Sequence, residues 1–212
     1  MCSCYEDDIT KHKRLLIENS HGEKLVGILH ETGSTELVII CHGFRSSKDR
    51  IPMVNLAFAF ERDGISAFRF DFAGNGESEG SFQYGNYRRE AEDLRSVVKH
   101  FQGEQRLIVA LIGHSKGKTE YRVTKESLMD RLATDTRAAC QTIPLSCRVL
   151  TIHGTLDEFV PVEDAYNFAE YIPNHKLCIV EGADHEYTKH QSELASTVLN
   201  FVKTGLLKDS RL

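Results

Sequence analysis

The chain has 212 residues, 41% of them apolar and 27% charged, with a formal net charge of −5. That length and apolar content suffice for one domain with a substantial core. The negative balance excludes the electrostatic footprint of a nucleic-acid-binding protein, and no apolar run approaches the ~18 residues of a membrane span.

The stretch Met1 to Asp8 has neither the basic region nor the apolar core of a secretory signal, so a cytoplasmic location is expected. The six cysteines then read as reduced thiols rather than a disulfide framework. Cys41, Cys147 and Cys178 lie in or beside apolar runs and are expected in the core. Cys2 and Cys4 complete neither a paired metal motif nor a lipidation signal.

In chain order, residues 13–18 and 24–30 are short, partly alternating runs around Asn19-Ser-His-Gly22, which predicts a hairpin. Glu36 to Cys41 is a continuous apolar strand that ends at His42-Gly43-Phe44 and a polar loop through Arg50. Pro52 suits the first turn of a helix over Met53 to Phe60, stopped by Asp63-Gly64. Ile65 to Asp71 is the next strand, followed by the glycine-rich loop 73–80. Ala91, Leu94, Val97, Val98 and Phe101 recur at spacings of three and four and mark an amphipathic helix over 87–101. Arg106 to Ile112 is a strand running into Gly113-His-Ser-Lys-Gly117. Further on, strands are predicted at 148–153 and 176–180, with helices over 163–171 and 190–203. A hairpin followed by alternating strands and helices predicts an α/β fold, a mostly parallel sheet with helices on both faces, within a single domain spanning 1–212.

The polar residues of interest fall at the carboxyl ends of strands, where function collects in such sheets: His42, Asp71, Ser115, Asp157 and His185. Gly113-His-Ser-Lys-Gly117 fits G-x-S-x-G, a turn in which one serine stands at the tip and the flanking glycines avoid a clash. Ser115, Asp157 and His185 follow the chain order Ser…Asp…His. Ser115 is the candidate nucleophile, which needs a base to take its proton. His185 is the candidate base, and Asp157 would fix its tautomer and stabilise its charged form. Asp184 is a rival acid, though adjacent side chains usually point apart. Backbone N–H groups of Lys116 and Phe44 are the candidate oxyanion-hole donors.

Other readings are weaker. His42 and His114 read as turn-shaping residues, and Asp71 as structural. No two of the ten histidines have the spacing of a metal site. Gly74-x-Gly76-x-x-x-Gly80 is one residue off a dinucleotide fingerprint, and Gly113 to Thr119 is one residue short of a P-loop.

The chain resembles the α/β-hydrolase superfamily, in the serine-hydrolase branch of serine-aminopeptidase-like, monoacylglycerol-lipase-like and feruloyl-esterase-like proteins. The residues that carry the resemblance are His42-Gly-Phe44, Asp71-Phe-Ala-Gly-Asn-Gly-Glu-Ser78, Gly113-His-Ser-Lys-Gly117, His153-Gly-Thr-Leu-Asp157 with Val160-Pro161, and Gly182-Ala-Asp-His185. The resemblance implies hydrolysis of a small-molecule ester, with no cofactor.

One stretch departs from that pattern. The elbow should enter a small apolar helix, but Lys118 to Leu132 is charged and its helical reading starts only at Thr124. Just 29 residues (118–146) separate the elbow strand from the strand at 148–153. The resemblance implies an elbow helix, a further strand and cap helices there, so a block of roughly 50 residues is expected to be missing after Gly117 or Lys118. One strand and much of the cap would be lost, with 119–140 as the cap's remnant. The triad would then be encoded without necessarily being assembled.

Overall fold

The computed structural model describes residues 12–115 and 135–209. They fall into two compact units. One is built from the described residues up to Phe82 together with Arg88–Ser115, the other from Gln83–Tyr87 and the described residues after Ser115.

In the first unit, β1 (His12–Glu18) and β2 (Lys24–His30) form the predicted hairpin, with His12 opposite His30 and Glu18 opposite Lys24. Then come β3 (Glu36–Cys41), α1 (Ile51–Arg62), β4 (Ser66–Phe70), α2 (Tyr87–Gly103, all but its first residue in this unit) and β5 (Leu107–Gly113). The five strands lie in the order β1-β2-β4-β3-β5. β3 runs parallel to both β4 and β5, while the hairpin joins antiparallel. The alternation of a pleated strand sends successive residues to opposite faces. Leu37, Ile39, Phe68 and Phe70 share a core with Val97 and Phe101 of α2. Met53, Leu56, Ala57 and Phe60 are the buried stripe of α1, whose first turn carries Pro52 as expected.

In the second unit, α3 (Thr136–Gln141) is a short helix that the sequence pattern does not reveal. Asp135 caps it by accepting a hydrogen bond from the Ala138 N–H at 2.9 Å. β6 (Val149–Gly154), α4 (Val162–Tyr171), β7 (His175–Val180) and α5 (Gln191–Asp209) follow. β6 and β7 pair in parallel as a sheet of their own, from Val149 opposite His175 to Gly154 opposite Val180. Leu194, Val198 and Val202 are the buried stripe of α5, at helical spacing.

The described strands therefore occupy two sheets where one was expected, and three of their five pairings are parallel. Among the described residues no strand lies between β5 and β6 in the chain. The helix expected from Thr124, and 119–134 of the expected cap remnant, lie outside the described residues. β5 pairs with β3 alone among the described strands, and Leu107 (57%) and Leu111 (54%) are exposed on it. Cys41 is buried and Cys178 half-buried, but Cys147 is exposed. Cys147 precedes β6 in a turn closed by its own N–H on the Pro144 carbonyl, so no strand carries it inward. Among the described residues no helix is long and apolar enough to cross a membrane.

Candidate active site

The second unit brings together two of the residues read from the sequence. The ends of β6 and β7 are stitched by backbone hydrogen bonds from Thr155 to Val180 and from Leu156 to Ala183, and by Gly182 N–H to the Thr155 hydroxyl. Gly154 permits this approach, since a Cβ there would sit 2.2 Å from the Ala183 carbonyl oxygen. The stitching sets Asp157 beside His185, with His185 Nδ1 2.7 Å from Asp157 Oδ2. An ionised carboxylate only accepts, so Nδ1 carries the proton and Nε2 the lone pair. That is the tautomer a general base needs.

The other carboxylate oxygen, Asp157 Oδ1, accepts from the N–H groups of Phe159 (2.9 Å) and Val160 (2.8 Å). Burial opposes ionisation of Asp157. The hydrogen bonds from Val160, His185 and Phe159 outweigh it and hold the carboxyl below the usual range. The edge of Phe159 packs on the His185 ring, with centroids 5.1 Å apart. Tyr187, buried, has its hydroxyl raised by burial and then by the charge of Asp157, and donates it to the Ile152 carbonyl. Asp184, the rival acid, accepts instead from the Thr188 N–H at 2.7 Å.

The first unit holds Ser115 and Phe44 together in a different way from that expected. The Phe44 N–H donates to the carbonyl oxygen of Ser115 at 2.9 Å. The donor assigned to the oxyanion hole is thus engaged by the backbone of the nucleophile residue. Gly43 makes the approach possible, because a Cβ there would lie 2.2 Å from the same oxygen. Crowding was expected instead at the two glycines flanking the serine, Gly113 and Gly117. A Cβ at Gly113 would meet nothing within 4 Å among the described residues, in keeping with its exposed place on β5. Lys116 and Gly117 lie outside the described residues.

The loop carrying Phe44 is anchored by buried charge. His42 Nε2 accepts from the Phe72 N–H at 3.1 Å, the turn-shaping role expected of it. Asp71 is structural, as read: it accepts from the Lys48 N–H (2.7 Å), the Lys48 ammonium (2.8 Å) and the Glu77 N–H (3.0 Å). Gly76, at φ +52°, wraps so close to that carboxylate that any Cβ would collide with it. Lys48 is only 2% exposed and also bonds Glu77 at 2.6 Å. Burial weakens its charge, but Asp71 and Glu77 more than offset that and raise its pKa. Nothing in the polar run 45–50 singles out Lys48 as buried.

A further cluster escapes any spacing rule, because the hairpin register creates it. His12, His30 and Glu61 present ligand-type atoms within 4.8 Å of one another. Glu61 Oε2 lies 2.9 Å from both His12 Nε2 and His30 Nδ1. Arg69 Nε–H, however, donates to His30 Nε2 at 3.1 Å. That fixes the proton on Nδ1, facing Glu61, whereas a metal-ligating imidazole donates its other N–H outward to an acceptor. The trio is organised as a hydrogen-bonded tie between β1, β2 and α1.

Residues 33–119 match the family model described as serine aminopeptidase, S33. That segment contains Phe44 and Ser115 but not Asp157 or His185. A search with the sequence finds no matching curated protein. Among solved structures, Est1E from Butyrivibrio proteoclasticus with bound ferulic acid superposes with a TM-score of 0.79 at 18% identity, covering 91% of this chain and 99% of that one. A Pyrococcus furiosus esterase gives 0.76 at 21% identity, over 91% of both chains. An α/β serine hydrolase homologue from Coxiella burnetii gives 0.72 at 19% identity, over 92% of this chain and 99% of that one. At such identities the likeness is one of fold. The chain therefore has the α/β-hydrolase fold, and its residues 33–119 are similar to the serine-aminopeptidase family.

Proposed function

We propose that the protein is a serine hydrolase acting on carboxylic esters of small molecules through an acyl-enzyme. The observation that carries this reading is the Asp157–His185 pair, an oriented imidazole at the positions where the superfamily places its acid and base. In the reaction, His185 Nε2 takes the proton of Ser115, whose Oγ adds to the ester carbonyl. The tetrahedral oxyanion is met by backbone N–H groups, in this reading those of Lys116 and of Phe44, the latter once it leaves the Ser115 carbonyl it bonds at 2.9 Å. Protonated His185 then gives its proton to the leaving alkoxide. Water, activated by the same imidazole, releases the acid and restores Ser115. Asp157 stabilises the imidazolium in both halves. We read 1–212 as one hydrolase domain with 119–140 as a cap remnant.

A second reading is a catalytically impaired chain, or a non-catalytic binding protein of the same fold. It is favoured by the Phe44 N–H being engaged by the Ser115 carbonyl. Incubation with a fluorophosphonate probe and with p-nitrophenyl acetate separates the two. The enzyme reading expects labelling and hydrolysis that vanish in Ser115→Ala. A folded wild-type sample that neither labels nor hydrolyses the ester establishes the second reading.

A further inference from the structure

We infer that His153 is a positioning residue for the Asp157–His185 pair; this rests on the reading of His185 as the general base. His153 is the penultimate residue of β6 and is buried. Its Nε2 lies 3.0 Å from the carbonyl oxygen of Val160. A carbonyl only accepts, so Nε2 carries the proton and donates it. The Val160 N–H in turn donates to Asp157 Oδ1. Val160 is thereby held at both its N–H and its carbonyl, across the short loop that carries the acid.

The consequence is orientational. Asp157 presents Oδ2 to His185 while the N–H groups of Phe159 and Val160 hold Oδ1. Rotation of the carboxylate would trade one set of partners for the other. His153 fixes the backbone that supplies one of those N–H groups. Its own N–H also lies 3.7 Å from Asp157 Oδ2, too far for a hydrogen bond but on the side that favours negative charge there. The pair is thus supported from behind by a second imidazole that need not touch substrate. Pro161, the residue before α4, has a ring-fixed φ, so the loop has little freedom to compensate.

The test uses His153→Leu and His153→Gln, the second retaining an N–H donor. The first readout does not depend on Ser115: the low-field proton resonance of His185 Nδ1–H, assigned by its loss in His185→Gln. It should broaden or vanish in His153→Leu and persist in His153→Gln. The second readout is kcat/KM for p-nitrophenyl acetate. It should fall about tenfold in His153→Leu, the scale of one hydrogen bond, with a shifted acid limb of the pH profile, and recover in His153→Gln. Should His153→Leu not fold, His153→Phe keeps a ring without the donor and is read in the same way. An unchanged resonance in the folded donor-less variant, no rescue by Gln, or no low-field resonance in the wild type overturns the inference. If the wild type neither labels nor hydrolyses ester, the base reading fails, while the resonance still decides the role of His153.

Discussion

The Phe44 N–H donates to the Ser115 carbonyl oxygen at 2.9 Å, across the gap that Gly43 leaves open. Substitution Gly43→Ala places a methyl 2.2 Å from that oxygen, with the Ser115 carbonyl carbon and the His114 ring also close. The contact must break or the loop must move, a change of the overpacking kind that costs about 1–3 kcal/mol. Thermal unfolding should show a lowered midpoint, and amide hydrogen exchange should show faster exchange at Phe44. An unshifted midpoint with a still-protected Phe44 amide would contradict this account.

Asp157→Asn removes the charge facing His185 while keeping the shape. The amide can donate to the imidazole and favour the wrong tautomer. Under the proposed mechanism, kcat should fall by about 10³–10⁴ with little change in KM. Steady-state kinetics on p-nitrophenyl acetate checks this. Asp184→Asn, whose carboxylate bonds Thr188, should leave the rate within a few-fold.

Lys48→Met leaves Asp71, itself fully buried, without its ammonium partner. Breaking a buried ion pair from one side costs about 3–5 kcal/mol. Urea unfolding should show the loss. Lys48→Met with Asp71→Asn should recover part of it, because no bare charge remains and the amide oxygen still accepts from one of the two backbone N–H groups, that of residue 48 or that of Glu77. A double variant no more stable than the single one would refute the ion-pair explanation.

The His30 imidazole is fully buried, and burial lowers its pKa against the opposing pull of Glu61. His12 and Arg69 reinforce the lowering. The unfolded chain takes up a proton near pH 6.5 that the folded chain refuses, so stability is fully present above that pH and is lost as pH falls towards the folded value. The slope contributed in that window is at most about 1.4 kcal/mol per pH unit. Urea midpoints measured from pH 7.5 downwards should drop more steeply for the wild type than for His30→Gln. Parallel curves would show that His30 does not set the dependence.

The hydrophobic pattern alone determined most of the local structure. Period-two runs and buried apolar runs became β1 to β7 with ends shifted by a residue or so, and the stripe from Ala91 to Phe101 became α2. Asp157 and His185 were legible because each sits just beyond a strand, where topology delivers side chains to one edge. α3 was not, since six residues carry too little periodicity to stand out. Only the tertiary structure decided which groups met. Hairpin register placed His12 against His30, and burial turned Lys48 into a structural cation. β-sheet pairing depends on distant strands, so no local pattern could reveal that β6 and β7 form a sheet of their own. Nor could the motif around Ser115 reveal that its carbonyl takes the Phe44 N–H. Residue types fix what a group can donate or accept; the partner it takes is set by which backbone comes within about 3 Å of it, and that is a property of the folded chain.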